Sequence, residues 1–236
     1  MNIRLFDEIC GMMHTLDRLF AQMISVVFHP ICMVFYMFIY VMYAAPQFFS
    51  TPDPRQKTFV ILSFLALTVM FPLLGISLMR MQGLISSFQM KTKKERIGPL
   101  IVIAIFYLWL YVNIRKNTLV PDVITFFVLG AVISVFLGLF INSFSKISLH
   151  CMGAGGFMTG FLYVYQTFVF PTFDVYVSQW DIVLRISNDL MLLLTLIIAG
   201  LVGTARLLLN AHQKDEIYGG YVVGILSQMI AIQIYF

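Results

Sequence analysis

Charged side chains are scarce in this sequence. The 15 Lys and Arg and 11 Asp and Glu make up 11% of 236 residues, less than half of the roughly 25% that soluble domains carry. With 60% hydrophobic residues and a mean hydropathy of +0.91, there is too little polar surface to solvate a globule, and the chain belongs in a membrane. Regular alternation is missing as well: MLLLTLIIAGLVG at 191–203 is unlike the roughly ten-residue alternating strands of a membrane barrel, so an all-α bundle is expected. Cysteine is limited to Cys10, Cys32 and Cys151, an odd number without a CxxC pair, which indicates neither a disulfide framework nor a cysteine metal knuckle. No run of Lys and Arg interleaves with aromatics, so nucleic acid is not an expected partner; a net charge of +4 suits anionic lipid or phosphate better. Residues 1–18 lack the apolar core and cleavage site of a signal peptide and predict an amphipathic helix at the interface.

What is present is long uncharged runs, at 19–52, 58–79, 97–114, 123–145, 147–173 and 217–236, with a shorter one at 190–205. About 20 residues at 1.5 Å rise cross a ~30 Å hydrocarbon core, which predicts six to seven spans in a single transmembrane domain over 1–236. The longest expected loops are 46–57, 81–98 and 171–185. With the amino terminus on side A, seven crossings put 46–57, 114–121 and 171–185 on side B. Side A then receives 80–98, 144–151 and 206–216. Those three segments hold most residues able to do chemistry: Lys91, Lys93, Lys94 and Arg96; Lys146, Ser148 and His150; Arg206, His212, Asp215 and Glu216.

Arginine inside a span costs about 2.5–3.5 kcal/mol at a helix centre, so Arg206 in TARLLLNAH calls for an interface or an anion. His212 and Glu216 are four apart and share a face on a helix, where the carboxylate holds one imidazole nitrogen and leaves the other free to attack. A guanidinium nearby offers a planar fork to two phosphate oxygens.

This pattern, R-x5-H-x3-E followed by Gly220 and Gly224, resembles the third signature of the type 2 phosphatidic acid phosphatase superfamily. Ala205 and Glu216 stand where that family has Ser and Asp. KISLHCMGAGG at 146–156 resembles the second signature through Ser148 and His150, with Ile147 and Leu149 in place of Pro and Gly. KTKKERIGP at 91–99 keeps Arg96 of the first signature, while Gln89 occupies its lysine position and Lys91 or Lys93 substitutes. The resemblance spans about the last 150 residues. It implies a membrane phosphatase without a cofactor: His212 attacks phosphorus, Glu216 steadies it, and His150 protonates the leaving oxygen. Arg206, Arg96, Ser148 and Lys91 then hold the phosphate. It also implies a bacterial inner membrane with the site toward the periplasm. The substrate is a lipid phosphate or pyrophosphate, among them undecaprenyl pyrophosphate, phosphatidic acid, phosphatidylglycerol phosphate and lipid A phosphates.

Plainer readings stand beside these. A histidine at a membrane end is ordinarily interfacial, Lys91, Lys93 and Lys94 make a headgroup patch, and His29 before Pro30 marks a kink. Asp189 matches no motif. Two rival functions remain: an inactive phosphatase relative or transporter using Arg206 and Glu216, and a seven-span zinc amidase with ligands from His29, His150 and His212, which lacks its H-x3-H pair. Side A carries ten Lys and Arg against five on side B. Setting aside Lys91, Arg96, Lys146 and Arg206 as phosphate ligands leaves six, so the positive-inside rule assigns no orientation. Oligomeric state is not legible either.

Overall fold

A computed structural model describes residues 3–50, 53–90, 92–168, 170–177 and 179–236, with side chains from residue 15 onward except that of 168. Helix α1 (Ile3–Val27) is followed by a tight 3-10 turn (Pro30–Cys32) and α2 (Met33–Ala44). Next come α3 (Pro54–Leu65), a π turn (Ala66–Met70) and α4 (Phe71–Met81), then α5 (Lys93–Ile114), α6 (Asp122–Asn142) and α7 (Leu149–Phe168). The chain closes with β1 (Thr172–Val177), β2 (Ile182–Ser187), α8 (Asn188–Leu208) and α9 (Lys214–Tyr235). Among the described residues six helical stretches are long and apolar enough to cross a membrane: Thr15–Ala44, Pro54–Met81, Lys93–Ile114, Asp122–Asn142, Asn188–Leu208 and Lys214–Tyr235. The protein is an integral membrane helix bundle.

The seventh expected span is α7, which packs against α6, α8 and α9. From Leu149 to Phe161 it has no exposed residue. A helix that faces protein rather than lipid does not need an apolar surface, and α7 accordingly carries His150 and a run of small residues. Its crossing with α9 is glycine against glycine. A Cβ on Gly220 would sit 2.5 Å from the Ser148 carbonyl oxygen, one on Gly155 would sit 2.7 Å from that of Tyr221, and one on Gly224 would collide with that of Met152. Gly153 does the same for Pro30, whose Cβ would be 2.9 Å away. Close approach thus docks the break of the first span directly on α7.

Three boundaries differ from expectation. The expected amphipathic helix is present, but it does not end at 18: α1 runs from Ile3 to Val27. The break falls instead at His29–Pro30, where proline supplies no N–H and the preceding residue is held extended. His29 has ψ 136° and its Nδ1 accepts from the Ile31 amide at 3.3 Å, capping the 3-10 turn, so the kink read from the sequence is present. Pro72 has a similar effect on the second span, whose helix widens into the π turn just ahead of it and leaves the buried Thr68 hydroxyl to donate to the Phe64 carbonyl at 2.6 Å. Finally, 171–185 is not an open loop but the antiparallel hairpin β1–β2, paired from Thr172↔Ser187 to Val177↔Ile182.

Candidate active site

The three polar segments assigned to side A meet at one end of the bundle. Lys93 Nζ donates to the Phe144 carbonyl at 3.1 Å, Asn142 Nδ2 to that of Lys93 at 2.8 Å, and Lys146 Nζ to that of Ala211 at 3.0 Å. The Ser148 amide donates to the Glu216 carbonyl at 3.0 Å. Backbone and lysine ties therefore join all three before any question of ligand arises.

Arg206 lies in the last turn of α8, and the chain leaves that helix through Asn210 in the left-handed region, φ 50°. α9 starts at Lys214 with Gln213 as its cap, so His212 stands in the turn between two helices. The pairing of His212 with Glu216, read above as one helical face, arises from the cap instead. Glu216 is the third residue of α9, and its Oε2 accepts from the Gln213 amide at 3.3 Å and from His212 Nδ1 at 2.6 Å. A carboxylate only accepts, so Nδ1 carries the proton and Nε2 keeps its lone pair. Burial is the main force on the ring's acidity, reinforced by the cations Arg96, Lys146 and Arg206 and opposed by the Glu216 hydrogen bond; together they lower its pKa from 6.5 to about 4. At neutral pH His212 is an uncharged imidazole with one nitrogen bare.

The second segment opens α7. Ser148 is fully buried and its Oγ accepts from the Cys151 amide at 3.4 Å, the geometry of an N-cap. That places the hydroxyl on the helix end and outside the cavity lining, away from the phosphate contact expected of it. His150 Nε2 lies 3.1 Å from the Ser25 carbonyl oxygen. The proline break exposes that carbonyl, because a last-turn carbonyl has no partner within its helix. Since a carbonyl only accepts, Nε2 of the neutral ring bears the proton and Nδ1 is bare.

The third segment brings Arg96, 5% exposed. Its Nε donates to the Met90 carbonyl at 3.1 Å and its Nη1 to that of Ile147 at 2.8 Å. Met90 turns with φ 45°, a left-handed conformation that a non-glycine residue adopts at a cost of about 1–3 kcal/mol. Lys91 lies outside the described residues.

One cavity of about 310 Å³ gathers Arg96, His150, Arg206 and His212 with Gln89 and His29 in its wall. Among the described residues no Asp or Glu lines it. The only ion pairs described are Arg185–Asp174, at the other end, and His212–Glu216. Among the described residues, buried Arg96 and half-buried Arg206 therefore have no carboxylate at ion-pair distance. Arg206 donates Nη1 to Ser25 Oγ at 3.3 Å while its buried Nε has no partner among the described residues. Among the described residues no group of three His, Cys, Asp or Glu converges in a way that could hold a metal ion.

No family model, curated protein or solved structure matches the chain. The site is thus read from its own geometry. That geometry adds residues not assigned to the site from the sequence. Gln89, the neutral residue at the lysine position of the first signature, lines the cavity, as do Gln22, Ser25 and His29 of the first span. Their spacing of three and four was the available signal. Asp189 sits at the opposite end, where its carboxylate accepts from the Tyr165 hydroxyl.

Proposed function

We propose that this membrane protein is a lipid-phosphate phosphatase working through a phosphohistidine. One observation carries the reading: a buried guanidinium (Arg96) and a half-buried one (Arg206), neither with a carboxylate at ion-pair distance among the described residues, share a cavity with an imidazole that a carboxylate holds in its nucleophilic tautomer. A buried unpaired cation costs several kcal/mol unless something neutralises it, and the supply of N–H forks fits a phosphoryl group. The resemblance of the three segments to the type 2 phosphatidic acid phosphatase signatures points to the same chemistry, and to a site facing the periplasm of a bacterial inner membrane.

In this reaction His212 Nε2 attacks phosphorus in line with the departing oxygen. Glu216 holds Nδ1–H and stabilises the charge that the ring acquires. Arg96 and Arg206 take the charge on the equatorial oxygens, and His150 exchanges protons on the same cavity. Uncatalysed phosphate-monoester hydrolysis is slow enough to need accelerations up to ~10²¹-fold, so preorganised charges must act together. An apolar cavity of about 70 Å³ shares the walls Pro30, Leu100, Ile103 and Leu149 with the polar one.

Inorganic phosphate release by the purified full chain tests this. The panel is undecaprenyl pyrophosphate, phosphatidic acid, phosphatidylglycerol phosphate and a lipid A phosphate, with and without chelator. Chelator-resistant release from at least one is expected. Release from none rejects catalysis in favour of an inactive or transporting relative, and chelator-sensitive release rejects the metal-free mechanism.

A further inference from the structure

We infer that the β1–β2 hairpin, at the end of the bundle opposite the polar cavity, is a membrane-surface element that seats the outer half of β2 and Trp180 in the lipid headgroup layer. This holds whatever reaction the cavity performs. Its ground is the unequal cover of two paired strands. Val175 pairs with Leu184 and Val177 with Ile182, and residues directly opposite on neighbouring strands share a face. On that face Val175 and Val177 are half-buried, whereas Leu184 and Ile182 are 49% and 46% exposed. Toward the base both strands are covered: Phe173 meets the Tyr40 ring of α2 edge to face, and Ile186 opposite it is half-buried. β1 thus lies over the bundle, and the outer half of β2 overhangs its rim. The reverse face holds the exposed Asp174–Arg185 pair, with Val183 as its apolar exception. The hairpin is amphipathic, and its apolar side continues past the protein.

The chain itself says what lies beyond the rim. β2 passes into α8 with no residue between them, and Ser187 Oγ caps that helix by accepting from the Leu190 amide at 3.4 Å. α8 is long and apolar enough to span a membrane, and Leu190, Leu193 and Ile197 on it are exposed, which in an integral membrane protein means exposed to lipid. The overhanging strand is therefore tied to the first turn of a lipid-facing span, at the boundary between water and lipid. Trp180 at the tip is 72% exposed. It is held out by an ordered turn, in which its amide donates to the Val177 carbonyl at 3.2 Å and the Tyr176 hydroxyl to Asp181 Oδ1 at 2.8 Å. An apolar ring with one polar N–H is the side chain that this boundary favours.

Backbone chemistry sets the depth. Among the described residues the sheet has two strands, so each strand keeps one open edge whose N–H and C=O groups need water or headgroup partners. Hydrocarbon would leave them unsatisfied, whereas the headgroup layer serves both the edges and the apolar face. Charge adds no demand for anionic lipid. The hairpin carries Asp174 and Asp181 against Arg185 alone, and that arginine is already paired. Zwitterionic phosphatidylcholine is thus a sufficient partner.

The test reads the hairpin through its own tryptophan. The chain has two, Trp109 and Trp180, and Trp109→Phe keeps an apolar ring at an exposed position of the α5 span while leaving Trp180 alone. The full chain is placed in phosphatidylcholine bicelles, which present both faces to buffer. Emission should lie to the blue of free tryptophan, and acrylamide should quench it about threefold less than free tryptophan. Phosphatidylcholine brominated near the glycerol should quench it about twofold more than the same lipid brominated near the chain ends. Ile182→Thr with Leu184→Thr keeps two strand formers but removes the apolar seat, and should return acrylamide quenching most of the way to that of free tryptophan. Emission and acrylamide quenching equal to free tryptophan overturn the inference, as do stronger quenching from the chain ends and an unchanged response in the threonine pair. Protection that fades as chains are diluted in lipid assigns the face to a second copy and overturns it too.

Discussion

The two ends of the bundle handle polar groups in opposite ways. At the hairpin end several polar groups pair within the chain: Arg185 Nε meets Asp174 Oδ1 at 3.0 Å, Tyr40 donates to Asn188 at 2.9 Å, Tyr235 to Asp122 at 3.0 Å, and Asp189 accepts from Tyr165, with the buried Thr125 hydroxyl left over. At the other end buried Arg96 is held by backbone carbonyls and half-buried Arg206 by one serine, and among the described residues the Arg206 Nε, itself buried, is left over. Buried polar groups in folded proteins are nearly always satisfied. The first end is therefore mainly structural, whereas the second holds cations that no described carboxylate pairs, as the proposed phosphate site requires.

The sharpest way to break that contrast is to remove the nucleophile. His212→Ala should reduce phosphate release by about 10⁴-fold or more, since losing a nucleophile removes the covalent route altogether. Glu216→Gln should cost about 10²-fold or more, because the amide no longer stabilises charge on the ring. Near-normal release by either variant would sink the assignment. Stability separates the two ends next. Arg206→Met removes a cation that has no carboxylate partner, so thermal unfolding in detergent should show a gain of about 1–3 kcal/mol together with loss of phosphate binding. A loss of stability would mean that Arg206 is a structural residue, and the ends would then be alike.

The pH profile sharpens the same point. His212 must be uncharged to attack, and its pKa is lowered to about 4. Activity limited by this ring should therefore persist as pH falls through 6.5 and decline only near 4. Stability runs the other way from a gained ion pair. The unfolded ring binds a proton below 6.5 and the folded one only near 4, so this contribution is complete above 6.5 and is lost as pH falls from 6.5 toward 4. An acid limb of kcat/KM at 6.5 that moves in Glu216→Gln would show the ring to be solvated.

The spans were legible because lipid imposes a length and a composition on each of them, and the meeting of three segments on side A followed from counting crossings. R-x5-H-x3-E was legible as a cluster, but not how it forms: Asn210 breaks the helix, and the pairing comes from a cap at the start of α9. Ser148 matched a phosphate-binding position yet its hydroxyl caps α7, since a serine ahead of a helix serves either role and only packing decides. The contribution of α1 was hidden for another reason. Pro30 announces a break, but that the freed Ser25 carbonyl meets His150, 125 residues away, depends on Gly153 admitting Pro30 to α7. The hairpin was passed over although TFDVYV alternates, its period being masked by the apolar neighbourhood.

The smallest effect is expected at the far end. Arg185 and Asp174 form the one carboxylate–guanidinium pair among the described residues, with side chains 73% and 46% exposed. Such a pair is screened by solvent and salt. Arg185→Gln should leave the melting temperature and phosphate release unchanged within error, at low and high ionic strength alike. If release fell with this change, the hairpin would be coupled to the cavity across the full thickness of the bundle. Chemistry would then not be confined to the end where cations lack partners.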